Sequence, residues 1–120
     1  MTTSPLFTPL AIGSMTLKNR FVRSATWEGL AGDDGSVTER LCGLIDDLAA
    51  GELGMIISGH AFVSPEGQAG PWQLGIYDDR LVDGLTQLAA RMKRHNSAAV
   101  AQLAHAGGQA AQALTGTQPI

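Results

Sequence analysis

The chain has 120 residues, 44% of them apolar and 16% charged, with a net charge of −3. That composition suits one folded domain and excludes disorder. The acidic balance gives no reason to expect nucleic acid or an anionic membrane as partner, and no apolar run approaches the ~20 residues that span a bilayer.

Met1-Thr2-Thr3-Ser4-Pro5 lacks the basic and apolar regions of a secretory leader, and the lone Cys42 has no partner for an internal disulfide. Both point to a reducing cytoplasm. Leu10-Ala11-Ile12 and Met15-Thr16-Leu17 flank the turn pair Gly13-Ser14, which predicts a hairpin over 9–17. Lys18-Asn19 leads into Arg20–Ala25, a first inner strand, and the segment from Trp27 to Gly35 reads as loop because Gly29, Gly32 and Asp33-Asp34-Gly35 interrupt it. Ser36 with Glu39 three residues on forms a capping box for a first helix. Leu41, Leu44, Ile45 and Leu48 give that helix an apolar face, Cys42 is a small packing residue within it, and Gly51 is its left-handed cap.

Met55-Ile56-Ile57, apolar throughout, predicts a second strand covered on both faces. A long loop over 58–77 follows, holding Pro65, Gly67, Gly70, Pro71 and Gly75, and loops of that length in a compact domain are usually functional or disordered. Asp78 or Asp79 caps a second helix with Leu81, Leu85, Leu88 and Met92 as its stripe, and basic Arg91, Lys93, Arg94 and His95 suit its C-terminal end, which Asn96 closes. The third strand is Ala98–Leu103. Alternating strands and helices imply parallel pairing with right-handed crossovers.

The third strand ends in Gln102-Leu103-Ala104-His105-Ala106-Gly107-Gly108, and ligands sit at the carboxyl ends of parallel strands. Gln102 offers both a donor and an acceptor there, and the glycines let the backbone approach a bound molecule. His60, His95 and His105 show no metal-ligand spacing, so no metal site is expected, and His105 reads as a structural tie for the loop after the third strand. Trp27 and Trp72 lie in glycine-rich loops, where lining a pocket and simple packing are both open. Glu28 reads as solvated or paired with Arg23 or Arg40, not as a general acid.

Several ordered pieces carry a resemblance: Leu6-Phe7-Thr8-Pro9-Leu10-Ala11-Ile12-Gly13, Leu17-Lys18-Asn19-Arg20-Phe21-Val22, Val63-Ser64-Pro65-Glu66-Gly67, Leu74-Gly75-Ile76-Tyr77 and Gln102-Leu103-Ala104-His105-Ala106-Gly107. With them the chain resembles the N-terminal part of the old yellow enzyme family of NADH:flavin oxidoreductases, in the branch of bacterial ene-reductases and dienoyl-CoA reductases. The resemblance implies an α/β fold of the (β/α)8 TIM-barrel family, of which 1–120 would hold only the N-terminal hairpin and the first three strands with two helices. It implies FMN as cofactor, NAD(P)H as reductant and a small-molecule electron acceptor, often an activated alkene. It places Ser24, Ala25, Thr26 and Trp27 along the flavin, His60 where a main-chain amide meets the ring, and Gln102 on the pyrimidine edge. Donors at that edge raise the electron affinity of the ring, each neutral bond contributing about 0.5–1.5 kcal/mol.

The chain also departs from the family pattern. Ala25 stands where Pro or Ser is usual, Gly29 replaces an aromatic, and Gly108 replaces an Arg. Trp27 stands where Thr, Cys or His is usual; it is bulky and accepts no hydrogen bond, which leaves ring tuning and pocket size open. A complete barrel takes ~250 residues, so the family's proton donor, substrate-binding pair and phosphate grip fall outside 1–120 and no residue is assigned as catalytic. The chain therefore reads as a fragment of a longer enzyme, inactive alone and weak or silent toward FMN. The alternatives are a non-catalytic βαβαβ remnant or assembly module without flavin, and a different flavin or phosphate-binding barrel sharing the first strands. Open strand edges point to a homo-oligomer.

Overall fold

The computed structural model describes residues 4–120; Met1–Thr3, part of the stretch read for a leader, lie outside the described residues. The hairpin forms as expected, with β1 (Leu10–Ile12) and β2 (Met15–Leu17) antiparallel and Leu10 opposite Leu17. Gly13 opens the turn at φ +58, a conformation that costs a Cβ-bearing residue.

Three parallel strands form the main sheet in the order β3 (Val22–Arg23), β4 (Met55–Ile57), β7 (Ala98–Val100). α1 (Glu39–Ala50) lies in the chain between β3 and β4, and α2 (Val82–Met92) lies between β4 and β7. Leu41, Cys42, Ile45 and Ala49 of α1 pack with Leu88 and Met92 of α2 and with Ile56 of β4 in the core. Beside this apolar contact, Arg91 reaches Asp46 at 2.7 Å and Glu39 at 3.2 Å, joining the two helices through partly exposed ion pairs.

Several boundaries differ from the sequence reading. Ser36 does not cap α1. Its N–H is taken by Asp34 Oδ1 and its carbonyl by the Gly32 N–H, so it belongs to the preceding turn. Thr38, in extended backbone, is the cap, and its hydroxyl accepts the Leu41 N–H at 3.2 Å. Gly51 sits at φ −72, and the left-handed residue is its neighbour Glu52 at φ +63. The Glu52 carbonyl accepts Asn19 Nδ2 at 2.7 Å and its carboxylate takes Lys18 Nζ at 2.8 Å. These contacts hold the otherwise disfavoured backbone. Asp78 caps a 3-10 turn, Asp79–Leu81, that runs into α2, and α2 ends at Met92, before Asn96.

The long loop over 58–77 is also more regular than its composition suggests. It contains β5 (Ala61–Phe62) and β6 (Leu74–Gly75), which form a second parallel sheet with β8 (Leu103–Ala104) in the order β6-β5-β8. The predicted strand Ala98–Leu103 is thus two short strands broken at Ala101-Gln102, and the first strand shrinks from 20–25 to Val22–Arg23. β5 follows β4, and β8 follows β7, after breaks at matching positions. A one-turn helix, α3 (Gln112–Thr115), comes last. The seam between the two sheets lies at the carboxyl ends of β3, β4 and β7.

Candidate functional site: the seam at the strand ends

The seam is built from three segments: 24–28 after β3, 58–60 after β4, and 101–102 after β7. Ser58, 4% exposed, ties the last two. Its N–H donates to the Val100 carbonyl at 2.9 Å, its hydroxyl donates to the Gly59 carbonyl at 2.9 Å, and the same oxygen accepts the Gln102 N–H at 3.4 Å. The Gln102 carbonyl in turn accepts the Ala61 N–H at 2.8 Å. Gln73, 1% exposed, holds the other side: its amide donates to the His60 carbonyl at 3.3 Å and its Oε1 accepts the Ala69 N–H at 2.8 Å.

The segment after β3 is tied to the segment after β4 by charge. Arg23 Nη1 donates to Glu28 Oε1 at 3.0 Å and to the Ile57 carbonyl at 2.8 Å, while its Nη2 reaches the Thr26 carbonyl at 3.1 Å. Glu28 Oε1 also accepts the Gly59 N–H at 3.0 Å. Of the two partners considered for Glu28, Arg23 is the one used.

Ser24, Ala25, Thr26, Trp27, His60 and Gln102 lie in the segments that follow β3, β4 and β7. Thr26 Oγ1 donates to the Ser24 carbonyl at 3.1 Å. Trp27, 52% exposed, lays its ring over Gly29, whose φ of +64 lets the chain turn beneath it. Trp27 and His60 share a shallow concavity of about 360 Å³ with Ala69, Gly70 and Pro71. Ser24, Ala25 and Gln102 do not line that concavity; Gln102 reaches the group through Ser58. His105 stands apart as a tie. Its Nδ1 accepts the Gly107 N–H at 3.0 Å, its ring lies against Gly67, and the Ala106 N–H donates to the Gly67 carbonyl.

Ser58 and Gln73 escaped the sequence reading. A polar residue directly after an apolar strand was the available sign for Ser58. Gln73 sits in a loop whose bonds only the folded chain defines. Among the described residues no group of three His, Cys, Asp or Glu side chains converges to hold a metal.

Three polar groups in these segments are left without a partner: the Ser24 hydroxyl, the His60 main-chain N–H and the Gln102 side-chain amide make no hydrogen bond among the described residues. Ser24 and Gln102 are exposed and His60 is half-buried. Amide and hydroxyl donors are of the kind that suits ring carbonyls and nitrogens.

Residues 5–119 match the model of the NADH:flavin oxidoreductase / NADH oxidase family. The chain is 36% identical over 106 residues to an NADPH dehydrogenase of Halalkalibacterium halodurans, and 37% identical over 106 residues to one of Bacillus subtilis. Each match covers 88% of this chain and 31% of the relative, so the chain spans about a third of their length. The old yellow enzyme homologue from Zymomonas mobilis superposes with a TM-score of 0.89 at 29% identity, over 97% of this chain and 32% of that one. Morphinone reductase superposes with a TM-score of 0.83 at 27% identity, over 95% and 30%. The neighbours are TIM barrels, and the described residues form an open part of one, with no closed barrel. The chain belongs to the NADH:flavin oxidoreductase / NADH oxidase family.

Proposed function

We propose that the protein is an FMN-dependent oxidoreductase of the old yellow enzyme type, with residues 1–120 forming the N-terminal part of its FMN-binding barrel domain. Family membership implies FMN and NAD(P)H. What supports the reading is that 24–27, His60 and Gln102 all lie in the segments directly after the carboxyl ends of β3, β4 and β7, where ring contacts are expected from the family match.

Bound FMN would supply hydride-transfer chemistry between NAD(P)H and a small-molecule acceptor, which we infer to be an activated alkene. In this reading Gln102 and the His60 N–H donate to the ring, and Ser24–Trp27 lie along it. Trp27 walls the space beside His60 and limits what enters. Preset donors at these positions would favour negative charge on such a ring. The proton donor, the substrate pair and the phosphate grip would come from the part of the barrel that 1–120 does not contain. Among the described residues no helix is long and apolar enough to cross a membrane, and a cytoplasmic homo-oligomer is the form we propose.

The test is the visible spectrum of the purified full-length protein, followed by anaerobic NADPH oxidation with a cyclic enone. A yellow protein that releases FMN on denaturation and turns over the enone supports the reading. A second reading, an assembly module without flavin, draws on the open edges of β3 and β7 in the described chain. A colourless oligomer on size-exclusion chromatography would favour it and overturn the first.

A further inference from the structure

We propose that Arg23 and Glu28 are positioning residues, a charge-balanced clip that fixes the ring-facing backbone of 24–28 and 59–60; the inference rests on the flavin reading above. Their side chains are only 13% and 7% exposed. β3 ends at Arg23, opposite Ile56, so β4 runs one residue further without a partner on that side. The Arg23 guanidinium takes the missing strand's place by donating to the Ile57 carbonyl, and it fixes the chain beyond β3 through the Thr26 carbonyl. Glu28 closes the loop. One of its oxygens accepts both Arg23 Nη1 and the Gly59 N–H. Gly59 is needed for this approach, because a Cβ there would lie 2.2 Å from Glu28 Oε2 and 2.9 Å from the Thr26 carbonyl oxygen.

The clip has two effects. It sets where Ser24–Trp27 and His60 present their main chain, and it keeps the net charge behind the rim at zero. Removing one partner of a buried pair leaves the other uncompensated. Next to a redox ring, an unpaired arginine favours the more negative, reduced form, and an unpaired glutamate disfavours it.

Four versions of the full-length protein test this: unmodified, Glu28→Gln, Arg23→Met and the double variant. Amide hydrogen exchange in 24–28 and at Gly59 should quicken at least tenfold in each single variant while α1 keeps its protection. Unchanged exchange overturns the clip, and acceleration spread through α1 reduces it to a general stabilising contact. The midpoint potential of bound FMN should rise in Glu28→Gln, fall in Arg23→Met and return toward the unmodified value in the double variant. Shifts of the same sign in both single variants overturn the charge-balance role. Gly59→Ala keeps both charges and displaces the carboxylate, crowding the Thr26 carbonyl as well, so it tests the clip if the charge variants do not fold. It should reproduce the local exchange and weaken FMN binding about tenfold, and unmodified behaviour in both overturns the proposal. Absence of flavin from the unmodified protein overturns the functional reading, while the exchange comparison still decides the clip.

Discussion

Cys42 is 1% exposed within the α1–α2 core, and burial pushes its thiol pKa up. A thiol that is both covered and protonated is a poor nucleophile. The folded protein should therefore resist a disulfide reagent at neutral pH and react fully only once unfolded in guanidinium; rapid native-state labelling would contradict the packing role. Asp34 gives the opposite case. The Ser36 hydroxyl and N–H hold its carboxyl below the ordinary value of 3.8. A depressed folded-state value adds stability that is present above 3.8 and fades as pH falls through the folded value. The stability difference between the unmodified chain and Asp34→Asn should stay level above about pH 5 and shrink below pH 4. Urea titrations across that range check it. Gly54 is fixed by contact: a Cβ there would lie 2.3 Å from the Asn19 carbonyl oxygen, which is backbone and cannot swing aside. Gly54→Ala should cost about 2 kcal/mol or more in denaturant unfolding. At this scale the sequence already narrowed the partner of Glu28 to Arg23 or Arg40, and only the fold chose Arg23. Ser58 carried only the weak sign of a polar residue after an apolar strand, its bond to Gln102 being 44 residues away in the chain, and Gln73 carried none, since its bonds to His60 and Ala69 depend on how the loop folds.

Helix capping separates what local pattern can and cannot decide. Ser36 and Glu39 have the spacing of a capping box, yet Asp34 draws Ser36 into the preceding turn and Thr38 takes the cap. Thr38→Ala should destabilise the protein by about 1 kcal/mol, with a smaller loss for Ser36→Ala; the reverse order in thermal unfolding would restore the original box. Long periodic elements were readable because burial repeats along them, as the apolar faces of α1 and α2 show. The two-residue strands β5, β6 and β8 were not, because so short a run carries no period. Their pairing depends on the matching breaks after β4 and β7. Those breaks also turn Gln102 out of a continuous strand and toward Ser58.

For the molecule as a whole, the order of hairpin, strand, helix, strand, helix, strand was legible, and with it the parallel sheet β3-β4-β7. The second sheet was not, although its seam with the first gives the rim its shape. In the proposed reading, 24–27, His60 and Gln102 hold one flavin ring between them. The most direct measurement is a titration of full-length apoprotein with FMN, followed by visible difference spectra, for the unmodified protein and for Gln102→Ala. Binding should saturate at one FMN per chain and weaken about 2- to 12-fold in Gln102→Ala, the worth of one neutral hydrogen bond. Non-saturable binding, or equal affinity and equal spectra for the two proteins, would contradict the reading.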